Sequence, residues 1–111
     1  KFNNIKIIPP QNSFRLANHL RNSDIYITAT ENDSCSNALI EAMACGLPAI
    51  YKNSGGSSEI VLKGGEAYNE NSEIPLLIEK ILSSYSDYKK SINLKSISEV
   101  ADDYVKALGM L

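Results

Sequence analysis

The stretch from Ser36 to Tyr51 leaves this chain few ways to fold. Ala38, Leu39, Ile40, Ala42, Met43, Ala44 and Cys45 cover nearly the whole circumference of a helix running from about Ser36 to Cys45. Gly46 supplies the left-handed residue that ends it, and Pro48 confirms the stop. Pro48-Ala49-Ile50-Tyr51 follows at once as a short strand. The same alternation continues on both sides. Ile5-Lys6-Ile7-Ile8 reads as a strand closed by Pro9-Pro10, and Ser13 caps a helix whose stripe is Phe14, Leu16, Ala17 and Leu20, ending near Arg21. After the turn Asn22-Ser23-Asp24 comes the strand Ile25-Tyr26-Ile27-Thr28, and a polar loop over 29–35. Downstream lie a loop at Ser54-Gly55-Gly56, a short helix from Ser57 to Leu62, a turn at Lys63-Gly64-Gly65, and a short fourth strand at Ala67-Tyr68. A helix from Glu73 to about Tyr85 aligns Leu77, Ile78, Ile81 and Tyr85, and a last one over about 94–108 aligns Ile97, Val100, Ala101, Tyr104 and Leu108.

Strands alternating with helices across short connections predict an α/β fold: a parallel sheet of about four strands flanked by helices. In such sheets ligands bind beyond the carboxyl ends of the strands. Two loops leave from such ends, 29–35 and 52–57, and they should lie side by side because consecutive parallel strands tend to be neighbours.

Composition removes several function classes. The chain has 111 residues, 43% of them hydrophobic, which suits one domain. A net charge of −2 with both signs dispersed gives no footprint for nucleic acid or anionic lipid. Cys35 and Cys45 are too few for a disulfide framework and match no zinc spacing, so the reading is reduced thiols in a cytoplasmic protein. No apolar run is long enough to span a membrane. Lys1-Phe2-Asn3-Asn4 is no signal peptide and lacks Met, which reads as the start of a piece cut from a larger protein. His19, the single histidine, reads as a solvated residue of a surface helix, and no metal site or Ser/His/Asp set is evident. Lys89-Lys90 and Asp102-Asp103 read as exposed helix charges, and Tyr85, Tyr88 and Tyr104 as packing residues.

Three stretches carry candidate chemistry. Glu41 sits in the middle of the apolar helix, where a buried carboxylate needs a partner: a backbone amide or lysine on one reading, the hydroxyls of a ribose on the other. Asp33-Ser34-Cys35-Ser36-Asn37 puts small residues at that helix's start, which serves either as ordinary capping or as a site for phosphate or sugar oxygens. Ser54-Gly55-Gly56-Ser57-Ser58-Glu59 is either a tight strand-to-helix turn or a loop that lets backbone approach a ligand; it is not a phosphate-binding P-loop.

Order and spacing join the three. Asp33, seven residues, Glu41, Ala-Met-Ala-Cys-Gly-Leu-Pro48 and then Ser54-Gly-Gly-Ser-Ser-Glu59 closely resembles the donor-site motif of retaining GT-B glycosyltransferases of family 4 (glycosyl transferases group 1). Asn22 to Thr28 also resembles the family's strand Ala-Asp-Val-Phe-Val-Leu-Pro-Ser, and the likeness spans roughly residues 5–80. The resemblance implies that residues 1–111 are a single partial domain, the nucleotide-sugar-binding, Rossmann-like C-terminal half of a GT-B enzyme, with its C-terminal helix over about 94–111. It implies that Glu41 holds ribose hydroxyls and that Asp33 contacts the donor sugar, the two carrying the catalytic assignment. Amides of Ser34, Cys35, Ser36 and Asn37 would line the sugar and pyrophosphate pocket. Thr30 and Glu31 match the loop before it, Gly55 and Gly56 the Gly-Gly loop, and Glu59 the acid that follows. This chain has Asp33 where the family commonly has Glu, an arm shorter by one methylene.

The implied activity of the parent is a hexosyltransferase type of glycosyl transfer, from a nucleotide-sugar to a hydroxyl acceptor with retention, and without cofactor or metal. The parent's N-terminal domain, two strands and an Arg/Lys pair that neutralises the pyrophosphate would be missing here, so the isolated chain is expected to be inactive. In the family's strand order (3-2-1-4-5-6) the 5–8 strand would be outermost and without its neighbours, which predicts that it is poorly supported or repaired by a homodimer through that edge. The expected partners are a nucleotide-sugar, the missing domain and an acceptor that membranes may present, with no nucleic acid. The expected location is cytoplasmic or peripheral to the inner face of the membrane. A non-catalytic α/β binding or assembly module, and a sugar-nucleotide epimerase of the same architecture, remain the alternatives.

Overall fold

A computed structural model describes residues 5–9, 13–30, 37–54 and 57–92. In chain order it contains α1 (Ser13–Arg21), β1 (Tyr26–Thr28), α2 (Asn37–Ala44), β2 (Ala49–Lys52), α3 (Ser57–Val61), β3 (Gly65–Tyr68), a 3-10 turn (Asn71–Glu73), α4 (Ile74–Ser83) and α5 (Tyr85–Lys90). The three strands form a parallel sheet in the order β1-β2-β3. This is the α/β architecture expected of alternating strands and helices.

Register sorts the side chains onto two faces. Tyr26 pairs with Ala49 and Ala49 with Gly65; Thr28 pairs with Tyr51 and Tyr51 with Ala67. These residues face α2 and α3, where Leu39, Met43, Ile60 and Val61 close a core over Ala49 and Tyr51. Helix α1 extends that layer by setting Leu20 against Ala42 and Leu47. The opposite face carries Ile50 and Tyr68, covered by Ile81 of α4 and by Ile74, Leu77, Ile78, Tyr85 and Tyr88. Burial of such side chains contributes roughly 1.5–3 kcal/mol each.

Specific contacts fix where elements start and stop. Gly46 has φ +90 and ends α2, with its N–H donating to Met43 O at 2.9 Å. Gly65 lies inside β3, where a Cβ would stand 1.9 Å from the Ala49 carbonyl oxygen, so only glycine permits that strand spacing. The left-handed position after α3 falls on Leu62 at φ 49, whereas the glycines that follow serve close packing: a Cβ on Gly64 would meet Met43 Cε at 2.8 Å. The second face is tied by polar tips as well. Tyr88 donates to Glu66 Oε2 at 2.6 Å, Lys80 Nζ stands 3.3 Å from the same oxygen, and Tyr85 donates to Asp24 O at 2.7 Å. Tyr85 and Tyr88 are thus packing residues, as their spacing suggested.

Several expectations are corrected. Ile5–Ile8 form no strand, which corrects the local pattern and agrees with the expectation that this segment is poorly supported without its neighbours; these residues are exposed, Ile7 to 91%. An apolar run can be a strand only where a neighbour completes its ladder, and the sheet among the described residues has three strands rather than about four. The fourth predicted strand is longer than Ala67-Tyr68: the turn expected at Lys63-Gly64-Gly65 falls at Leu62–Gly64, where the Gly64 N–H donates to Val61 O at 2.8 Å, and Gly65 already pairs with Ala49. The helix expected from Glu73 to Tyr85 breaks at Ser84, whose φ −131 and ψ 37 separate α4 from α5. Helix α2 is not buried all round: Ala38, Glu41 and Ala44 are exposed, at the three-residue spacing of one helix face. Alanines make that face look apolar while losing little in water. The last predicted helix, 94–108, with Tyr104 and Asp102-Asp103, lies outside the described residues.

Two measurements check this packing. Gly65→Ala should lower unfolding free energy by about 3 kcal/mol in a denaturant titration, since backbone rather than a side-chain tip must give way. Burial, then the bond to and charge of Glu66, push the Tyr88 hydroxyl up to about 12. The unfolded chain loses this proton near pH ~10, so Tyr88 should cost stability as pH rises from there toward its folded value. Tyr88→Phe should remove that share of the alkaline slope, seen by thermal melts across pH.

Candidate functional site

The sheet lifts one edge into use. Thr28 and Lys52 close β1 and β2, which pair directly, so the two connecting loops do leave side by side. At the first of these ends the Thr28 hydroxyl donates to Thr30 Oγ1 at 3.1 Å and accepts from the Thr30 N–H at 3.3 Å. This is the hydroxyl-to-backbone turn that threonine favours when a strand must bend away. Tyr26 lies on the same face two residues earlier. Its hydroxyl is raised by burial and by the Glu41 charge, against a lowering hydrogen bond with the Thr28 side chain. Glu41 is exposed on α2, and its charge reaches the Tyr26 hydroxyl.

The second end is a polar network. Lys52 Nζ donates to Asn69 O at 2.7 Å and stands 5.4 Å from the Tyr68 ring centre. Asn53 Nδ2 donates to Asn69 Oδ1 at 3.1 Å, and the Asn53 N–H to Tyr68 O at 2.9 Å. Glu73 Oε2 accepts from the Asn69 and Glu70 N–H groups at 3.0 and 2.8 Å. Those amides, Glu70 before Asn69, hold the Glu73 carboxyl below its ordinary range, with Lys52 adding to the effect. Tyr68 then spans the sheet, donating from its hydroxyl to Thr28 O at 3.2 Å. The carboxyl edge is one connected set of donors and acceptors from β1 to β3.

Of the residues singled out in sequence, Thr30 stands at the end of β1 and Glu41 in the middle of α2, both exposed. Asn37 opens α2, and Glu59 lies within α3. Glu31, Asp33, Ser34, Cys35, Ser36, Gly55 and Gly56 lie outside the described residues. The desolvation argument for Glu41 does not hold, because its carboxylate meets water. Sequence reasoning passed over Lys52, Asn53, Asn69 and Glu73. One sign was present: Lys52-Asn53 and Asn69-Glu70 each break an apolar strand into polar residues at the same end. His19 is exposed, as expected of a solvated helix residue. A surface hollow lined by Lys63, Lys80, Ser84, Asp87, Tyr88 and Ser91 belongs to the opposite end, since Lys63 precedes β3 and Ser84 follows α4. Among the described residues no group of three His, Cys, Asp or Glu could hold a metal ion. No helix among them is long and apolar enough to cross a membrane.

A family model, glycosyl transferases group 1, matches residues 2–99. The chain belongs to that family. Comparison with curated proteins and with solved structures finds no match. Glycosyl transfer is thus the general chemistry of the family. In this group 1 glycosyltransferase the carboxyl edge offers the Thr28 and Thr30 hydroxyls at β1, and Lys52 with Asn53 and Asn69 at β2 and β3.

The Glu73 bonds make a pH prediction. A carboxyl held low in the fold adds stability that is present above its unfolded value and is lost as pH falls through the folded one. The difference in melting temperature between the native chain and Glu73→Gln should therefore be constant above about pH 5 and shrink below it.

Proposed function

We propose that the chain is the donor-binding part of a retaining, family 4 glycosyltransferase of GT-B type. It would bind a nucleotide-sugar whose hexosyl group passes to a hydroxyl acceptor. The observation that carries the reading is Glu41: an exposed carboxylate on the Ala38, Glu41, Ala44 stripe of α2, at the motif position that the family gives to the ribose hydroxyls. A carboxylate and a ribose diol make charge-assisted hydrogen bonds, each contributing about 1.5–3 kcal/mol.

The remaining roles follow the motif. Asp33 takes hydroxyls of the donor sugar. Amides of Ser34, Cys35, Ser36 and Asn37 approach the sugar and diphosphate at the start of α2, where the helix dipole favours negative charge. Thr30 and Glu31 flank that stretch, and Gly55, Gly56 and Glu59 form its second wall. In transfer, the bond from the anomeric carbon to the diphosphate breaks and a bond to the acceptor oxygen forms on the same face, the acceptor's proton passing to the departing diphosphate. Positive charge on the ring is stabilised by positioning and by that leaving group, with no metal ion or other cofactor. The acceptor side is supplied by a further, N-terminal domain of a cytoplasmic parent that works in solution or at the inner face of the membrane. The exposed 5–8 segment is a place where a second copy could pair.

Ligand-observed NMR with UDP-, GDP- and ADP-sugars tests this. One nucleotide should bind, and Glu41→Ala should weaken it by about ten-fold or more. Binding unchanged by the substitution sinks the ribose role of Glu41. If the chain alone binds none, the same pair is compared in the full-length parent, where absence of binding overturns the donor reading.

A further inference from the structure

Asn69 belongs to none of the stretches assigned to the donor, yet four bonds converge on it and on its neighbour. Its N–H is held by Glu73 Oε2 at 3.0 Å, beside Glu70 N–H on the same oxygen at 2.8 Å. Its carbonyl accepts from Lys52 Nζ at 2.7 Å, and its Oδ1 accepts from Asn53 Nδ2 at 3.1 Å. Lys52 and Asn53 are the residues by which the chain leaves β2, and their backbone turns there, the Ser54 N–H donating to Lys52 O at 2.7 Å. Asn53 and Asn69 are both exposed. Exposed bonds between side-chain amides add little to global stability, because water replaces them at small cost. What they do supply is direction: the Asn53 N–H bond to Tyr68 O at 2.9 Å joins the two adjacent strand ends, and the side-chain bond sets the angle at which Asn53 continues from there, at the edge where ligand would sit.

We propose that Asn69 is a positioning residue for the donor site: anchored by Glu73, it fixes the course of Lys52, Asn53 and Ser54 as the chain leaves β2. The proposal rests on the donor-site reading above. It assigns the stretch after β3 a part in donor affinity, although that stretch would touch no substrate. The Lys52 bond goes to the Asn69 backbone and survives substitution, so Asn69→Ala removes the Asn53 link alone.

The test uses amide hydrogen exchange in the chain and steady-state kinetics in the full-length enzyme, with Asn69→Ala and Asn69→Asp. In Asn69→Ala the Asn53 and Ser54 amides should exchange about five-fold faster, and donor KM should rise about five-fold, the size of one lost hydrogen bond. Acceptor KM and the melting temperature should stay near native. Asn69→Asp keeps an acceptor for Asn53 Nδ2 and should restore both quantities. Native exchange in Asn69→Ala overturns the positioning role. So does a rise in donor KM that tracks a fall in melting temperature and is not restored by Asp. Faster exchange in an enzyme that binds no nucleotide-sugar overturns the donor reading instead, and with it the functional part of this proposal.

Discussion

Ala49, Ile50 and Tyr51 point alternately to the two faces of the sheet, and neither face is left to water. A strand buried on both sides must be apolar throughout, must be covered by helices above and below, and must take its hydrogen bonds from neighbours on either flank. Each demand accounts for an element. Leu39, Met43, Ile60 and Val61 cover one side; Ile81 and Tyr68 cover the other. β1 and β3 supply the ladders, and Gly65 lets β3 come close enough to do so. Burial ends where β2 ends. Lys52 is half-buried and continues the Ile50 side of the strand, so the first residue that can meet water is also the first that can carry charge.

The change from core to site thus happens within one residue step at the carboxyl edge. Parallel strands end there together, which gathers Thr28, Lys52 and Tyr68 with the residues after them. Backbone groups that lose their ladder partners must find others. The Asn53 N–H finds Tyr68 O, and the Asn69 and Glu70 N–H groups find Glu73. Polar residues are concentrated at this edge for that reason before any ligand is considered.

Local sequence patterns were a good guide wherever the deciding interaction is local. Gly46 and Pro48 stop α2 by their own backbone restrictions, and the structure ends that helix at Ala44. The stripes of Leu16 and Leu20 and of Leu77, Ile78 and Ile81 point inward as read. Patterns misled where the deciding partner is distant. Ile5–Ile8 has the composition of a strand, but composition cannot show whether a neighbour exists. Ser84 interrupts a stripe that Tyr85 still continues, so periodicity read α4 and α5 as one helix. Alanine counted as apolar made α2 look buried at Glu41. The Asn53–Asn69 bond joins residues 16 positions apart, and no spacing rule announces such a pair.

Three carboxylates separate what the fold uses from what it leaves over. Glu66 accepts a hydrogen bond from the Tyr88 hydroxyl and faces Lys80, pinning α5 and α4 to β3. Glu73 takes two backbone amides and is held ionised by them. Both are consumed by structure, and replacing either disturbs an element. Glu41 differs: its side chain is exposed on α2, and its charge reaches Tyr26. Glutamate is a good helix former, so the position costs the fold little. A carboxylate that no described side chain holds can be replaced with little structural consequence, which is why Glu41 is the position at which the proposed ribose role is most cleanly tested.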